Sequence, residues 1–273
     1  MKFPYKVGLL GFGNMAQALL RGWMEKKVLE ASAVYVSNRS PGKTLRMQDE
    51  WPVKVCWTNE EVLDSADIVF VAVKPQDFDS ALDPVLPSIR SRQILVSLAA
   101  GISMRSLKKK SAEARWVKVA ANTPSVIQKG VFGIYQESAD LGVETLLSDL
   151  LAPLGKVYMC ETEDEFEAVM VGCSAGTGFV FELMMYFQDW MEERGIDSPS
   201  ARDAVVQTFL GASLLASHSR LQSLEDLQNK VASKKGITEA GLHSMRELEI
   251  ERLLRLSFEK ASLRNQELAR PLK

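Results

Sequence analysis

The segment Gly11-Phe12-Gly13-Asn14-Met15-Ala16 constrains this chain more than any other feature. A short apolar run, Val7-Gly8-Leu9-Leu10, precedes it, and Met15, Ala18, Leu19, Gly22 and Trp23 follow at three- and four-residue steps. Apolar run, glycine turn and amphipathic periodicity together predict strand, turn and helix. In a G-x-G-x-x-A turn the first glycine makes the tight bend and the second lets the backbone approach a pyrophosphate. The small third residue lets the helix pack on the sheet. The helix N-terminus then offers unpaired N–H groups and the positive end of its dipole to the phosphates. Gly11, Gly13, Asn14 and Met15 are therefore expected to bind a dinucleotide.

The following 150 residues or so keep the same alternation. Val34-Tyr35-Val36-Ser37 reads as a second strand, closed by the polar Asn38-Arg39-Ser40-Pro41-Gly42. A helix is expected over 43–51, a short strand over 53–56 and a helical turn over 60–65. The continuous apolar run from Asp67 to Val73 is of the kind buried in a parallel sheet, and it stops at Lys74-Pro75. Further strands are expected over 94–98, 116–120 and 131–135. Strands alternating with helices imply a parallel sheet covered on both faces.

From about Glu161 helical periodicity takes over. The stretch from Glu165 to Arg194 is rich in Met, Phe and Leu and is interrupted by Gly172, Gly176 and Gly178. Ser198-Pro199 resembles a helix start, with Ser at the N-cap and Pro at the first helical position. Residues 201–216 are almost uncharged past Asp203, so this helix is expected to be buried on most sides. A last helix is expected from about Thr238 to Leu268, with Leu242, Met245, Leu248, Leu253 and Leu256 along one stripe. One small helical domain offers few partners for such helices, which implies packing against a second copy. The expected fold class is an α/β Rossmann-type dinucleotide-binding domain over 1–161, followed by an all-α dimerisation and substrate domain over 162–273.

Composition removes several function classes. The formal net charge is −2, so there is no strong field to attract nucleic acid. The basic cluster Lys108–Lys110 reads as a solvated helix end. Cys56, Cys160 and Cys173 are widely spaced without a CxxC, and His218 and His243 have no ligand-like companions, so neither a disulfide framework nor a metal site is expected. That cysteine usage fits a reducing compartment, and a cytoplasmic location is expected. The N-terminal apolar stretch is cut at once by glycines and does not read as a signal peptide. No apolar run reads as long enough to span a membrane, and no membrane partner is expected.

The end of the second strand selects the cofactor. An acidic residue there binds the ribose 2′-hydroxyl of NAD, whereas this chain has Ser37-Asn38-Arg39-Ser40. Arg39 can pair with a 2′-phosphate, so NADP(H) is expected to be preferred with NAD(H) possible. Lys74 ends a buried strand at the sheet's carboxyl edge, where it either faces the cofactor or points to solvent. Ser97-Leu98-Ala99-Ala100-Gly101 ends the next strand in small residues that leave room for a nicotinamide or serve close helix packing. Ser174-Ala175-Gly176-Thr177-Gly178 is costly inside a helix, so a neighbouring helix or a substrate must approach the backbone there. Ser233-Lys234-Lys235-Gly236-Ile237-Thr238 is a hydroxyl-bearing turn before the last helix. Thr238 reads as an N-cap, as a catalytic residue, or as both. No Ser–His–Asp pattern and no Walker lysine loop accompanies these motifs, which suits chemistry carried by a cofactor.

These motifs together resemble the pyrroline-5-carboxylate reductase family over nearly the whole chain. Gly11–Ala16 with Leu19 and Gly22, then Thr58-Asn59-Glu60-Glu61, Ala66-Asp67 and Ala72-Val73-Lys74-Pro75-Gln76 stand at family spacing. Ser97, Ala100-Gly101-Ile102, Asn122-Thr123-Pro124, Gln207-Thr208, Leu210-Gly211-Ala212 and Gly241-Leu242 continue the match. The resemblance implies reduction of a cyclic imine carboxylate to L-proline with NADPH or NADH in a homodimer or higher homo-oligomer. It further implies cofactor contacts from Asn38, Arg39, Asn59, Val73, Lys74, Pro75, Ala99 and Ala100. Substrate contacts would come from Asn122, Gly176, Thr177, Gly236 and Ile237, with Thr238 and Ser233 as catalytic candidates.

The chain departs from the family in four places. Ala120-Ala121 stands where the family usually has Met-Pro. Its Ser-Gly-Ser-Gly-Pro-Ala-Tyr becomes 173–179 here. Lys234-Lys235 replaces Pro-Gly in the substrate turn, adding positive charge for a carboxylate or blocking the pocket. Lys118 stands where arginine is common. Two other readings follow. One is a reductase-like NADP-binding protein with an altered substrate or no catalysis. The other is a β-hydroxyacid-type dehydrogenase, which needs a lysine and an asparagine that residues 172–191 do not contain.

Overall fold

The computed structural model describes residues 3–40, 42–91 and 93–268. They fall into two compact units, one formed by Met1–Ala175 with Ala261–Lys273 and the other by Gly176–Lys260.

The first unit is built on one sheet of eight strands. The strands are β1 (Val7–Leu10), β2 (Val34–Ser37), β3 (Lys54–Cys56), β4 (Ile68–Val71), β5 (Ile94–Ser97), β6 (Arg115–Ala121), β7 (Gly130–Tyr135) and β8 (Gly155–Cys160). Their spatial order is β3-β2-β1-β4-β5-β6-β7-β8. The order reverses between β1 and β4, which opens a crevice at the carboxyl ends of those strands. Helices α1 (Asn14–Glu25), α2 (Gly42–Glu50), α3 (Asn59–Ser65), α4 (Phe78–Leu82), α5 (Met104–Lys110), α6 (Leu141–Leu151) and α7 (Glu163–Val169) connect and flank the strands.

Period-two alternation assigns each strand residue to a face. Ile68 and Phe70 join one core with Leu9, Trp23 and Leu147, whereas Val69 and Val71 join the other with Leu10, Phe78 and Leu107. Two apolar faces explain why the β4 run is apolar throughout rather than alternating. Trp23 of α1 packs its ring 5.4 Å from Phe70 and donates its indole N–H to the Leu150 carbonyl at 3.0 Å. This bond satisfies the one polar atom of a fully buried side chain.

The sheet departs from the expected all-parallel form. β6 and β7 pair antiparallel, and β7 pairs parallel with β8, a strand not anticipated from sequence. The turn Thr123–Ile127 is short enough to return the chain directly, whereas a parallel pair needs a helical crossover. Lys110, read as part of a solvated helix end, forms ion pairs with Asp79 and Asp83.

The second unit is helical: α8 (Gly176–Glu192), α9 (Ser198–His218), α10 (Leu224–Val231), α11 (Ile237–Glu247) and α12, which runs from Ile250 to Leu268 and carries its last turns into the first unit. Asp197, not Ser198, caps α9 through a hydrogen bond to Ser200 N, which leaves Pro199 inside the first turn. The single helix expected from Thr238 to Leu268 is two helices. Glu249 adopts φ 51° and breaks it, although no glycine or proline marks the place. Helix α9 was expected to be buried on most sides. Within this chain only Ala201 and Val205 of α9 are buried, and Gly176 is the one other buried residue among the described residues of this unit. Phe179–Phe258 and Phe187–Phe209 ring contacts, at 5.4 and 5.3 Å, join its helices without making a core.

Candidate active site

The β1–α1 turn sits at the carboxyl edge of the sheet. Gly11 donates its N–H to the Ser37 carbonyl at 2.9 Å, and Ala72 N–H reaches Leu10 O at 2.8 Å, so the turn is pinned between β2 and β4. Gly11 has φ +88°, and a Cβ there would lie 2.7 Å from Val73 Cγ1 and 3.1 Å from Ala72 O. Only glycine satisfies both conditions. At Gly13 a Cβ would meet nothing within 4 Å, since this residue faces open space.

That space is a cleft of about 950 Å³. Of the residues singled out from sequence, Gly11, Gly13, Asn38, Arg39, Asn59, Val73 and Lys74 line it. Asn14 and Met15 form the first turn of α1, and Pro75 opens a short 3-10 turn after β4. Ala99 lines a separate, smaller cavity. Sequence reading missed Lys43, Arg46 and Trp57, which also line the cleft. Trp57 is 72% exposed there and offers an aromatic face to the cleft. The signal for the two cations was available: Lys43 and Arg46 lie three residues apart at the start of α2 and share a face.

Two asparagines brace the cleft rather than hang free in it. Asn38 Oδ1 accepts from Phe12 N at 3.1 Å while its Nδ2 donates to Ser40 O at 2.7 Å. Asn59 Oδ1 accepts from Ser37 Oγ and its Nδ2 donates to Ala81 O, both at 2.7 Å. Arg39 is nearly fully exposed and reaches Asp77 Oδ1 at only 3.5 Å, a pair worth little in water. Its guanidinium remains available.

A dinucleotide fits this cleft. The first turn of α1 has no acidic residue and no side-chain cap, so its leading N–H groups are unspent. The open position at Gly13 lets a diphosphate approach them, and Arg39, Lys43 and Arg46 supply positive charge where β2 ends.

Toward the sheet's other half, buried polar groups are used for structure. Lys118 on β6 is buried. Its Nζ lies 2.7 Å from Glu163 Oε1 and 4.6 Å from the Phe166 ring centroid. Burial raises the Glu163 carboxyl, but hydrogen bonds from Lys118 and Met104 N and the lysine charge outweigh it and hold its pKa below the ordinary value. Asn122, singled out for substrate, accepts from Val131 N at 2.8 Å and donates to Cys173 O at 3.2 Å. It thereby fastens the end of β6 to a π-helical turn, Met170–Ala175, that absorbs the small-residue stretch between α7 and α8. A Cβ on Gly172 or Gly178 would meet nothing within 4 Å among the described residues.

Gly176, Thr177, Ser233, Gly236, Ile237 and Thr238 belong to the second unit, which Gly176 opens directly after the π turn. Gly236 N–H closes a tight turn on Ser233 O at 2.9 Å, and a Cβ on Gly236 would lie 2.3 Å from Ser233 Oγ. Lys235 holds φ 59°, and its N–H is taken by the Glu239 carboxylate. Both lysines of this turn are exposed and do not fill its interior. Thr238 is not the N-cap. Gly236 occupies that position without a side-chain cap, and Thr238 is the second residue of α11. The N–H groups that open α11 are therefore free of a local side-chain acceptor.

Comparison with known proteins gives the decisive observation. Residues 6–101 match the family model described as NADP oxidoreductase coenzyme F420-dependent. Residues 163–268 match the one described as pyrroline-5-carboxylate reductase dimerisation. A pyrroline-5-carboxylate reductase of Pseudomonas aeruginosa is 29% identical over 269 residues, covering 98% of each chain. The chain belongs to the pyrroline-5-carboxylate reductase family. A solved pyrroline-5-carboxylate reductase of Coxiella burnetii superimposes with TM-score 0.87 at 25% identity, covering 97% of this chain and 99% of that one. The NADP-bound pyrroline carboxylate reductase of Plasmodium falciparum gives 0.89 at 21%, covering 99% and 100%, and shares the fold.

Contrary to the expectation that no run reaches spanning length, the helical stretch Glu163–Glu192 is long and apolar enough to cross a membrane. It begins where the reductase dimerisation match begins. A partner helix and a lipid tail ask for the same apolar surface, so length and composition alone do not tell them apart.

Proposed function

We propose that this protein reduces 1-pyrroline-5-carboxylate to L-proline, with NADPH preferred over NADH, as a homodimer formed through its helical unit. The observation that carries this reading is the glycine turn at Gly11–Gly13. It has an open floor at Gly13 and stands in a chain whose second half matches the reductase dimerisation family.

When bound, NAD(P)H supplies the hydride that the C=N carbon accepts. The chain's own residues bind, orient and shield. The N–H groups of Asn14 and Met15 at the head of α1 hold the diphosphate, and Arg39 holds a 2′-phosphate. Asn38 and Asn59 keep the cleft walls at fixed separation through the bonds described above. The Ile237 and Thr238 N–H groups at the head of α11 suit the substrate carboxylate, because Glu239 already occupies Lys235 N–H and the Ser233 carbonyl occupies Gly236 N–H. A cyclic imine is partly protonated near neutral pH, so the Thr238 hydroxyl need only orient the ring nitrogen or steady its proton. Ser233 supports the turn from beneath Gly236.

The direct test is loss of NADPH absorbance with 1-pyrroline-5-carboxylate, with NADH and a six-membered imine carboxylate as controls. Turnover of the five-membered ring with NADPH is expected. Demonstrable NADPH binding without turnover of either ring would sink the reading.

Two variants test its parts. Arg39→Ala is expected to raise the KM for NADPH about tenfold, equivalent to ~1.4 kcal/mol, and to leave that for NADH unchanged. An equal change for both cofactors would remove Arg39 from the 2′-phosphate. Thr238→Ala is expected to lower kcat roughly 100-fold, the scale of one positioned proton-handling group, without altering NADPH affinity. Unchanged kcat would leave Thr238 a mere helix residue.

A further inference from the structure

The loop that follows β5, residues 98–103, leaves the carboxyl end of the strand next to β4, on the edge of the sheet where the β1/β4 crevice opens. Gly101 in it is buried and adopts φ +73°. A backbone N–H on a buried residue needs a partner. That partner lies 164 residues away: Asn265 Oδ1 accepts from Gly101 N at 2.6 Å. The other end of the same amide, Nδ2, donates to Glu167 Oε1 at 3.1 Å. Ser262 Oγ donates to that same oxygen at 3.0 Å.

The arrangement has one sense. The Gly101 N–H donates and Glu167 Oε1 accepts, so the bridging residue must accept on one side and donate on the other. Asparagine does both with one short, stiff side chain. The loop's far end is fixed by the same helix α7, since Met104 N donates to Glu163 Oε1 at 2.9 Å. Glu163 and Glu167 are one helical turn apart and share a face, so α7 holds both ends of the loop, one directly and one through Asn265.

We infer that Asn265 is a positioning residue for the reductase: from the last turns of α12 it latches the Ala99–Gly101 segment against the nicotinamide end of the cleft. The inference rests on the proposed reductase reading for its kinetic consequence, but not for the latch itself. It assigns α12 a task in catalysis separate from forming an interface.

The experiment compares full-length wild type, Asn265→Leu, Asn265→Asp and the double variant Asn265→Asp with Glu167→Gln. The aspartate keeps an acceptor for Gly101 but sets two carboxylates against each other. Adding the glutamine restores a donor opposite it. Amide exchange over 98–103 without cofactor, NADPH affinity and steady-state kinetics are measured on each. Expected are at least tenfold faster exchange at Gly101 and about tenfold lower kcat in both single variants. NADPH affinity should move less than threefold, and both losses should return to within about twofold of wild type in the double variant. Recovery in the double variant separates positioning from a general loss of packing. Unchanged exchange and kcat in Asn265→Leu, or a double variant no better than Asn265→Asp alone, would overturn the inference. If Asn265→Leu does not fold, the aspartate variant and its rescue decide alone. A wild-type protein that reduces no cyclic imine overturns the proposed function, and the exchange and affinity measurements then still decide the latch.

Discussion

Gly13→Asp is expected to make the protein slightly more stable and to abolish useful NADPH binding. Gly13 is the N-cap of α1 with extended backbone, φ −76° and ψ −174°, which any residue adopts. Its missing Cβ faces empty space, so an added side chain meets no steric penalty. Aspartate is among the best N-caps and complements the helix dipole. Relative to glycine it contributes about 0.5–1 kcal/mol, which raises Tm by ~1–3 °C in a protein of this size. The same carboxylate stands at the proposed diphosphate site. Two unit charges about 4 Å apart at an effective dielectric of 20 repel by about 4 kcal/mol. After screening, a loss of roughly 100-fold in NADPH affinity is the conservative expectation.

Two companions separate the causes. Gly13→Asn gives the same cap without the charge and is expected to lose only about tenfold in affinity. Gly11→Ala forces a Cβ into Val73 at a backbone angle that disfavours it, and is expected to lower Tm instead. Calorimetry and NADPH fluorescence titration read both quantities. If Gly13→Asp binds NADPH like wild type, the diphosphate does not lie on the α1 N-terminus and the cleft assignment fails.

The contrast between these two glycines explains how much of the site was legible in the sequence. Spacing alone identifies the turn, because no other residue type satisfies the geometry at Gly11. Strand-forming runs in the parallel half are legible for a related reason: residues such as Val69 and Phe70 are buried on both faces and leave an unbroken apolar signal. β8 was not legible because it is an edge strand. Lys156, Tyr158 and Met159 are exposed, so burial imposes little pattern on them.

Local grammar also misleads where tertiary context competes. Ser198 and Thr238 both have cap chemistry, yet the caps fall on Asp197 and Gly236 one or two residues earlier. The break at Glu249 carries no glycine or proline and is invisible to punctuation rules. Asn122, expected to contact substrate, also fastens the end of β6 through Val131 and Cys173, a structural task that local spacing does not announce. The Asn265–Gly101 bond spans most of the chain, and no pattern of local spacing points to it.

Leu214→Glu is expected to convert the proposed dimer to monomers and to cost most of the proposed reductase activity. The second unit buries too little to stand alone: among its described residues only Gly176, Ala201 and Val205 are buried. Val206, Leu210 and Leu214 recur every four residues on one face of α9, each between 41% and 49% exposed in the single chain. Phe181, Phe187 and Trp190 on α8 are more exposed still. A patch of this kind is stable in water only when covered. Covering one leucine contributes about 1.5–3 kcal/mol, and a symmetric interface counts each substitution twice. Replacing Leu214 by glutamate removes that term from both sides and adds two charges to desolvate. A total of ~4–8 kcal/mol raises the dimer dissociation constant by roughly a thousandfold or more, past ordinary assay concentrations. Light scattering on the eluting peak should report half the wild-type mass. The wild-type Tm should rise with protein concentration while that of the variant does not. A control substitution at an exposed polar position of the same helix, Arg202→Glu, should change neither. If Leu214→Glu keeps wild-type mass and Tm, the α9 face is not the interface. If instead the wild type sediments with lipid vesicles, the apolar stretch Glu163–Glu192 meets a bilayer rather than a second copy.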